Sequence, residues 1–582
     1  MNSLILAAIC FALYIVAYRT YGQYLSKKIF GLRNNRTTPA HRLKDGIDFV
    51  PTKKDVVFGH HFTSIAGTGP IVGPAIGVIW GWLPALVWVV LGPIFIGAIH
   101  DMGSLVISIR NDGKSVAEII GKTISPRVRN LFFVIVFLEL WIVIAIFALI
   151  IAILFGMYPN SVLAVWIEIP IALWIGAKVR SGNANLLVLS IIGVTLMYIA
   201  VIAGNYLPIK MPQVFGLSPI LVWMLILFLY AGIASAMPVD LLLQPRDYLN
   251  SHQLLIAMAL LFGGLVVSHP PIVAPAVITN PQGAPSMFPF LFVVIACGAV
   301  SGFHALVSSG TSSKQLNRET DALFVGFGSM LFEGALAVLV IMACTAGIGL
   351  GIHTSGGTLT GSEAFAGHYA SWASANGLGA QLSAFIEGAA NMITCLGISR
   401  NIAITIMGVF IVSFAATTLD TATRIQRYVI SELAEGLNFK RISGRIPATC
   451  ITVGTAMALA FYSGDGKGAM TLWPIFGAVN QLLASLALLS ITAYLIHKNK
   501  NIIVTLPAMI FMVITTSWAM VGNASNLLEQ KNYFLGGLSV LTLALQAWML
   551  TESWIILSKR TKEIEPQDDK FTETEVPVHA DH

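Results

Sequence analysis

The sequence predicts an all-α membrane protein with about fifteen transmembrane helices. Three observations carry this: apolar runs of 20 residues or more recur along the chain, charged residues make up only 11% of it, and those charges gather in a few loops. A run of about 20 residues at 1.5 Å each crosses a hydrocarbon core about 30 Å thick. Soluble domains carry about 25% charged residues, so this chain lacks the water-facing surface such a domain needs. With 56% hydrophobic residues over 582 positions and no polar linker, it reads as one membrane domain with short loops.

The apolar spans fall near residues 3–24, 56–80, 83–110, 128–156, 160–178, 185–205, 217–236, 252–270, 286–311, 321–350, 402–422, 446–463, 469–496, 503–522 and 534–557. The first, from Leu4 to Tyr18, lacks a basic leader and a small-residue cleavage site, and reads as a retained span. Loop charge then orients the chain. Lys27, Lys28, Arg33, Arg36, Arg42, Lys44, Lys53 and Lys54 mark the first loop as cytoplasmic, which puts the N-terminus outside and the C-terminus inside. Alternation places Lys178, Arg180, Arg246, Lys314, Arg318, Lys498, Lys500, Lys559 and Arg560 inside as well. Arg424, Arg427, Lys440, Arg441 and Arg445 join them only if the marginal stretch Gln381–Ile398, which carries Glu387 and Asn391, does not cross. That stretch is therefore read as interfacial or re-entrant. Residues 559–582 form a polar tail too hydrophilic to pack. The net charge of +6 follows these loops and implies a lipid bilayer as partner, not nucleic acid. Five cysteines without a CxxC pair read as structural thiols.

Helix breakers point to the site. Gly67-Thr68-Gly69-Pro70 falls in the middle of the second span, about two turns beyond His60 and His61. Proline lacks an amide proton and glycine leaves helical geometry easily, so backbone groups freed here must face protein, water, an ion or a substrate. The seventh span carries a second flexible stretch, Ala231 to Pro238, which includes Gly232 and Ser235. These two spans run in opposite directions, five spans apart, which is the pattern of an inverted-repeat transporter with a midplane site. The expected organisation is an extra helix and basic loop over 1–55, a ten-helix core over 56–422, further helices over 423–558, and the tail. Substrate is expected between the two breaks, lined by His60, His61, Gly67, Thr68, Gly69, Pro70, Gly232 and Ser235. A packing kink is the bland alternative.

In the ninth span Ala305, Ser308 and Ser309 share one helix face and offer oxygens to a hard cation, though small residues in membrane helices also serve close packing. Asp101, Glu139, Glu168, Glu333 and Asp420, with His60, His61, His100 and His304, are ionisable groups inside apolar spans. A charge at the bilayer centre costs at least about 2.5–3.5 kcal/mol, so such groups mark pathways or proton relays by default. Asp420 is expected to pair with Arg424 one turn on, while Asp101 reaches Arg110 or Lys114 only if its helix bends and is left open. Glu139 and Glu168 are either protonated or paired across helices. No Walker loop, HExxH or GxSxG motif is present, so no enzyme template applies and no cofactor is expected. Transport must draw on a gradient of Na⁺, H⁺ or the substrate itself. A channel would show repeated pore loops and a sensor a soluble signalling domain, and the sequence holds neither.

The stretches TPAHRLKDGIDFVPT, FGHHFTSIAGTGPIVGP, LLLQPRDYLNS, SGFHALVSSGTSSKQL, TTLDTATRIQRYVISE and WPIFGAVNQLLA, spread from Thr38 to Ala484, resemble the carbon starvation protein (CstA) family. The resemblance implies a bacterial inner-membrane importer of peptides or pyruvate, tied to nutrient limitation. It also implies a LeuT-type 5+5 inverted-repeat core with broken first and sixth core helices and extra flanking helices. In that family of folds LLLQPRDYL is similar to the end of the sixth core helix and ALVSS to an eighth-helix sodium site. Because the first and eighth core helices adjoin there, Thr63 and Ala66 are expected to complete a sodium site with Ala305, Ser308 and Ser309.

Overall fold

The computed structural model describes residues 2–182, 185–354, 357–436 and 438–560; the expected tail beyond residue 560 lies outside the described residues. The chain is helical almost throughout, apart from one short antiparallel pairing of Ile352–Thr354 with Gly357–Leu359. In chain order its principal helices are α1 (Ser3–Ala17), α2 (Lys54–Ala66), α3 (Gly69–Gly77), α4 (Trp82–Gly92), α5 (Ala98–Ile109), α6 (Val116–Thr123) and α7 (Pro126–Met157). Then come α8 (Val162–Arg180), α9 (Leu186–Tyr206), α10 (Pro219–Ala236), α11 (Leu243–Ser268), α12 (Met287–Val294), α13 (Gly302–Gly310) and α14 (Ser329–Thr345). The last six are α15 (Leu378–Thr394), α16 (Arg400–Gly436), α17 (Arg445–Phe461), α18 (Trp473–His497), α19 (Thr505–Glu529) and α20 (Tyr533–Arg560).

Twelve of the described helical stretches are long and apolar enough to cross a membrane, and the bent pair α2 and α3 raises this to as many as thirteen. The chain is a multi-pass membrane protein. Two of the fifteen expected spans fall short of that standard. The stretch 446–463 forms only the 17-residue α17, and 286–311 is divided into α12 and α13 by non-helical backbone over 295–301. Gln381–Ile398 becomes α15, a largely buried helix packed on α14, α16 and α3.

The two long helices α7 and α16 pack against each other through the middle of the molecule, and α2 lies against α11 and α16. The first break is where the sequence puts it. Gly67 ends α2 with φ +37°, a conformation L-residues rarely adopt, and α3 restarts at Gly69 with a 43° bend between the halves.

The second break is not in the seventh span. There α10 runs unbroken from Pro219 to Ala236, because glycine and alanine remain compatible with a helix when neighbouring helices fill the space around them. The second broken helix is instead α12 and α13, where Gly298 has φ +87°. Its unwound backbone is satisfied from outside: Trp88 Nε1 donates to Ile295 O at 2.9 Å, and Asn480 Oδ1 accepts from Phe303 N at 3.0 Å. The halves α3 and α12 meet, and the halves α2 and α13 meet, so the two breaks face each other across one level of the protein. Contact is backbone-close: a Cβ on Gly73 would lie 2.6 Å from Val294 O.

Candidate functional site

The two breaks form the floor of a cavity of about 600 Å³, where Thr68 and Gly69 of the first meet Ala296 and Cys297 of the second. One face of α3 continues up the wall through Val72, Gly73 and Ile76, beside Phe147 and Ile150 of α7. The polar lining is carboxamide: Asn376, Gln381, Asn480, Asn523, Asn526 and Gln530. Among the described residues no Asp, Glu, Lys or Arg lines it. Such a surface orients a small polar molecule by hydrogen bonds without holding it by fixed charge. Thr68 and Gly69 lie in this cavity and Pro70 opens α3 beside Gly298. Gly67 lies just behind, where a Cβ would meet Thr418 Oγ1 at 2.7 Å.

Gly232 and Ser235 lie elsewhere. Gly232 faces Val453 of α17, and the buried Ser235 hydroxyl has no hydrogen-bond partner among the described residues. They sit on the unbroken α10, so the second break that sequence reading assigned to them does not bring them to the cavity.

His60 and His61 point to different helices, as 100° per residue requires. His60 Nδ1 lies 2.5 Å from Asp247 Oδ2 on α11, and His61 Nδ1 lies 2.8 Å from Ser312 Oγ beyond α13. Beside the first pair is a fully buried network. Arg246 Nε donates to Glu168 Oε1 at 2.9 Å, its Nη1 donates to Asp420 Oδ2, and Tyr230 OH donates to the same Asp420 oxygen at 2.9 Å. Ser413 Oγ completes it at 3.0 Å from Glu168 Oε2.

This corrects two sequence readings. Arg246 is not a loop charge but is 1% exposed inside the bundle. Asp420 does not pair with Arg424, because Arg246 from α11 reaches it first. Arg424 instead donates to Asp48 Oδ1 at 2.7 Å and to the carbonyls of Ala234 and Met237.

Asp101 likewise pairs with neither Arg110 nor Lys114. His100 Nδ1 is 2.7 Å from Asp101 Oδ1, and His304 Nδ1 is 3.1 Å from Asp101 Oδ2. On its other side His304 Nε2 is 3.4 Å from Glu333 Oε2, while Glu333 Oε1 accepts from Gly298 N at 2.9 Å. Arg110 is drawn off to Glu319, which also holds Arg36. Glu139 is fully buried with neither oxygen hydrogen-bonded among the described residues.

Of the five residues expected to hold sodium, Thr63 and Ala66 lie on α2 and Ala305, Ser308 and Ser309 on α13, two helices that pack on each other. Thr63 Oγ1 donates to Gly59 O at 2.8 Å, and Ser309 Oγ donates to Ala305 O at 2.7 Å while accepting from Val116 N on α6. Among the described residues the buried Ser308 hydroxyl has no hydrogen-bond partner, and Ala66 is the last residue of α2. A second group of oxygens beside the first break comes from α2 and α16. Ser64 Oγ is 3.0 Å from Thr421 Oγ1, and Thr418 Oγ1 donates to Ser64 O at 3.2 Å.

The basic end of the bundle is latched by Asp48, which accepts from Arg424, from Arg427 at 3.2 Å and from Tyr428 at 2.6 Å. Burial alone would raise this carboxyl, but Arg424, Arg427 and Lys314 beside it hold it below the ordinary carboxylate value. Sequence reasoning missed Asp48, Asp247, Cys297 and Asn480. Asp48, Asp247 and Asn480 lie within TPAHRLKDGIDFVPT, LLLQPRDYLNS and WPIFGAVNQLLA, so the family resemblance was the signal that could have found them, while Cys297 lies outside every such stretch.

The family model described as carbon starvation protein CstA matches residues 2–519. The chain is 34% identical over 561 residues to the protein named peptide transporter CstA of Campylobacter jejuni, covering 88% of this chain and 79% of that one. It is 32% identical over 575 residues to the protein named pyruvate/proton symporter BtsT of Escherichia coli K12, covering 88% and 80%. It is 30% identical to the protein named peptide transporter CstA of Bacillus subtilis, covering 97% of each. Among solved structures, a manganese transporter of Eremococcus coleocola superposes with a TM-score of 0.52 at 10% identity, covering 89% of this chain and 99% of that one. At that identity the likeness is one of fold.

Proposed function

The chain belongs to the carbon starvation protein CstA family, and from that premise we propose that it imports short peptides across the inner membrane by alternating access, coupled to protons. It is a secondary transporter, as its relatives' names and its multi-pass fold agree. The observation that carries the substrate reading is the 600 Å³ cavity with carboxamide lining over two broken helices. That volume lies within the range of about 300–1,000 Å³ typical of sites for drug-sized ligands, and is ample for a di- or tripeptide. The first turn of α3 offers partial positive charge to a substrate carboxylate. Pyruvate, named for one relative, is a second substrate reading, supported by the same helix end.

The facing broken pairs α2/α3 and α12/α13 support an inverted-repeat core, with six membrane-crossing stretches between them in place of the four that separate the broken helices of a LeuT-type 5+5 repeat. With the N-terminus outside, the cavity opens outward and the latches at Asp48 and Glu319 close the cytoplasmic side.

His60 with Asp247 is the proposed proton carrier. It is a buried histidine–carboxylate pair about two turns before the first break, and among the described residues His60 Nε2 has no hydrogen-bond partner. Sodium is the rival, supported by the Ser64, Thr418 and Thr421 oxygens beside that break. Counterflow of labelled di- and tripeptides and of pyruvate in proteoliposomes tests the proposal. Exchange of peptide that an imposed pH gradient accelerates and sodium does not is the expected result. Absence of exchange overturns the substrate reading, and acceleration by sodium alone overturns the coupling reading.

A further inference from the structure

We propose that Cys297, His304 and Glu333 bind a borderline-soft divalent cation of the zinc class at the floor of the cavity. The three come from different places: Cys297 from the unwound segment 295–301, His304 from the first turn of α13, and Glu333 from α14. One ligand atom of each lies within 4.8 Å of the other two.

The orientation of the group is that of a first and second coordination shell. His304 and Glu333 are fully buried, yet among the described residues neither His304 Nε2 nor Glu333 Oε2 has a hydrogen-bond partner. These two atoms are 3.4 Å apart. A tetrahedral zinc ion with bonds of about 2.0–2.1 Å to nitrogen and oxygen separates those ligands by about 3.4 Å. The opposite atoms are the ones held by the protein. His304 Nδ1 faces Asp101 Oδ2 at 3.1 Å, Asp101 is held by His100 at 2.7 Å, and Glu333 Oε1 takes the Gly298 amide at 2.9 Å. A carboxylate behind the histidine fixes its tautomer and leaves Nε2 as the donor to a metal.

Cys297 gives the site its access. It is half-buried and lines the cavity, so an ion enters from there, and a three-ligand site keeps a fourth position for water. On binding, the thiol releases its proton to solvent. Thiolate and carboxylate together then neutralise the dication. A mixed sulfur, nitrogen and oxygen set selects zinc or cobalt over magnesium or calcium, which take oxygen ligands. Bound there, the ion ties the unwound backbone to α14.

The test uses full-length purified protein, stripped by chelator and reloaded with Co²⁺. One cobalt per chain is expected, with the intense d–d bands of a four-coordinate ion and a thiolate-to-cobalt charge-transfer band. Cys297→Ser should lose the charge-transfer band, and His304→Asn should lose binding. Asp101→Asn should weaken binding by about 10–100-fold, as loss of an outer partner does. Zn²⁺ should displace the cobalt and protect Cys297 from a water-soluble maleimide. Circular dichroism of each variant separates lost ligation from lost folding. Weak octahedral bands unchanged in Cys297→Ser, or no cobalt retained by well-folded wild-type protein, overturn the proposal.

Discussion

Arg246 Nε donates to Glu168 Oε1 at 2.9 Å while its Nη1 reaches Asp420, so one guanidinium from α11 ties α8 to α16 inside the bundle. The planar fork of arginine serves two carboxylates at once, which the point charge of lysine does not. Arg246→Met leaves two buried carboxylates uncompensated and should cost about 3–5 kcal/mol. Adding Glu168→Gln and Asp420→Asn should recover much of it. Thermal unfolding in detergent reads both effects, and full additivity of the three substitutions would contradict the network.

His60→Gln removes the proposed proton carrier but keeps a hydrogen-bonding side chain toward Asp247. Accumulation driven by a pH gradient should fall at least about tenfold, a loss of about 1.4 kcal/mol of driving energy, while counterflow persists. Equal loss of both would mark His60 as structural.

Gly73→Ala should impair uptake and destabilise the protein by about 1–3 kcal/mol. Its Cβ would meet Val294 O at 2.6 Å and Ile295 Cα at 3.1 Å, which are backbone atoms that no rotamer change can move. Unchanged uptake and melting temperature would show that the two broken helices do not meet as closely as this.

The Asp48 latch has a defined pH sign. Its folded carboxyl is held below the ordinary value, so its stabilisation is fully present above the unfolded value of about 3.9 and is lost as pH falls through the lower folded value. At neutral pH, Asp48→Asn should loosen the loop before α2. Hydrogen exchange over residues 44–53 should rise severalfold in the variant and stay slow in the wild type.

Glu139→Leu should raise the melting temperature, because it removes a buried carboxyl with no hydrogen-bond partner among the described residues, an arrangement that costs about 1–3 kcal/mol. Transport measured on the same variant tells whether that cost serves a function. A fall in stability would show that Glu139 has a partner after all.

Hydropathy, charge and helix breakers determined that this chain spans a membrane many times, and they located its first break at Gly67–Pro70. Those signals are local: a run of 20 apolar residues or a Gly-x-Gly-Pro step acts on its own backbone whatever packs beside it. The second break was less legible. The small residues of 231–238 stay helical in α10, whereas Gly298 unwinds because Trp88, Asn480 and Glu333 satisfy the backbone groups set free. Charge partners were hidden for the same reason. Asp420 has Arg424 one turn away, yet each pairs with a residue more than 170 positions distant, since in a low-dielectric interior the partner that also satisfies the remaining lone pairs wins. The cavity and the cluster of Cys297, His304 and Glu333 likewise exist only where separate helices converge, and no spacing along the chain encodes that convergence.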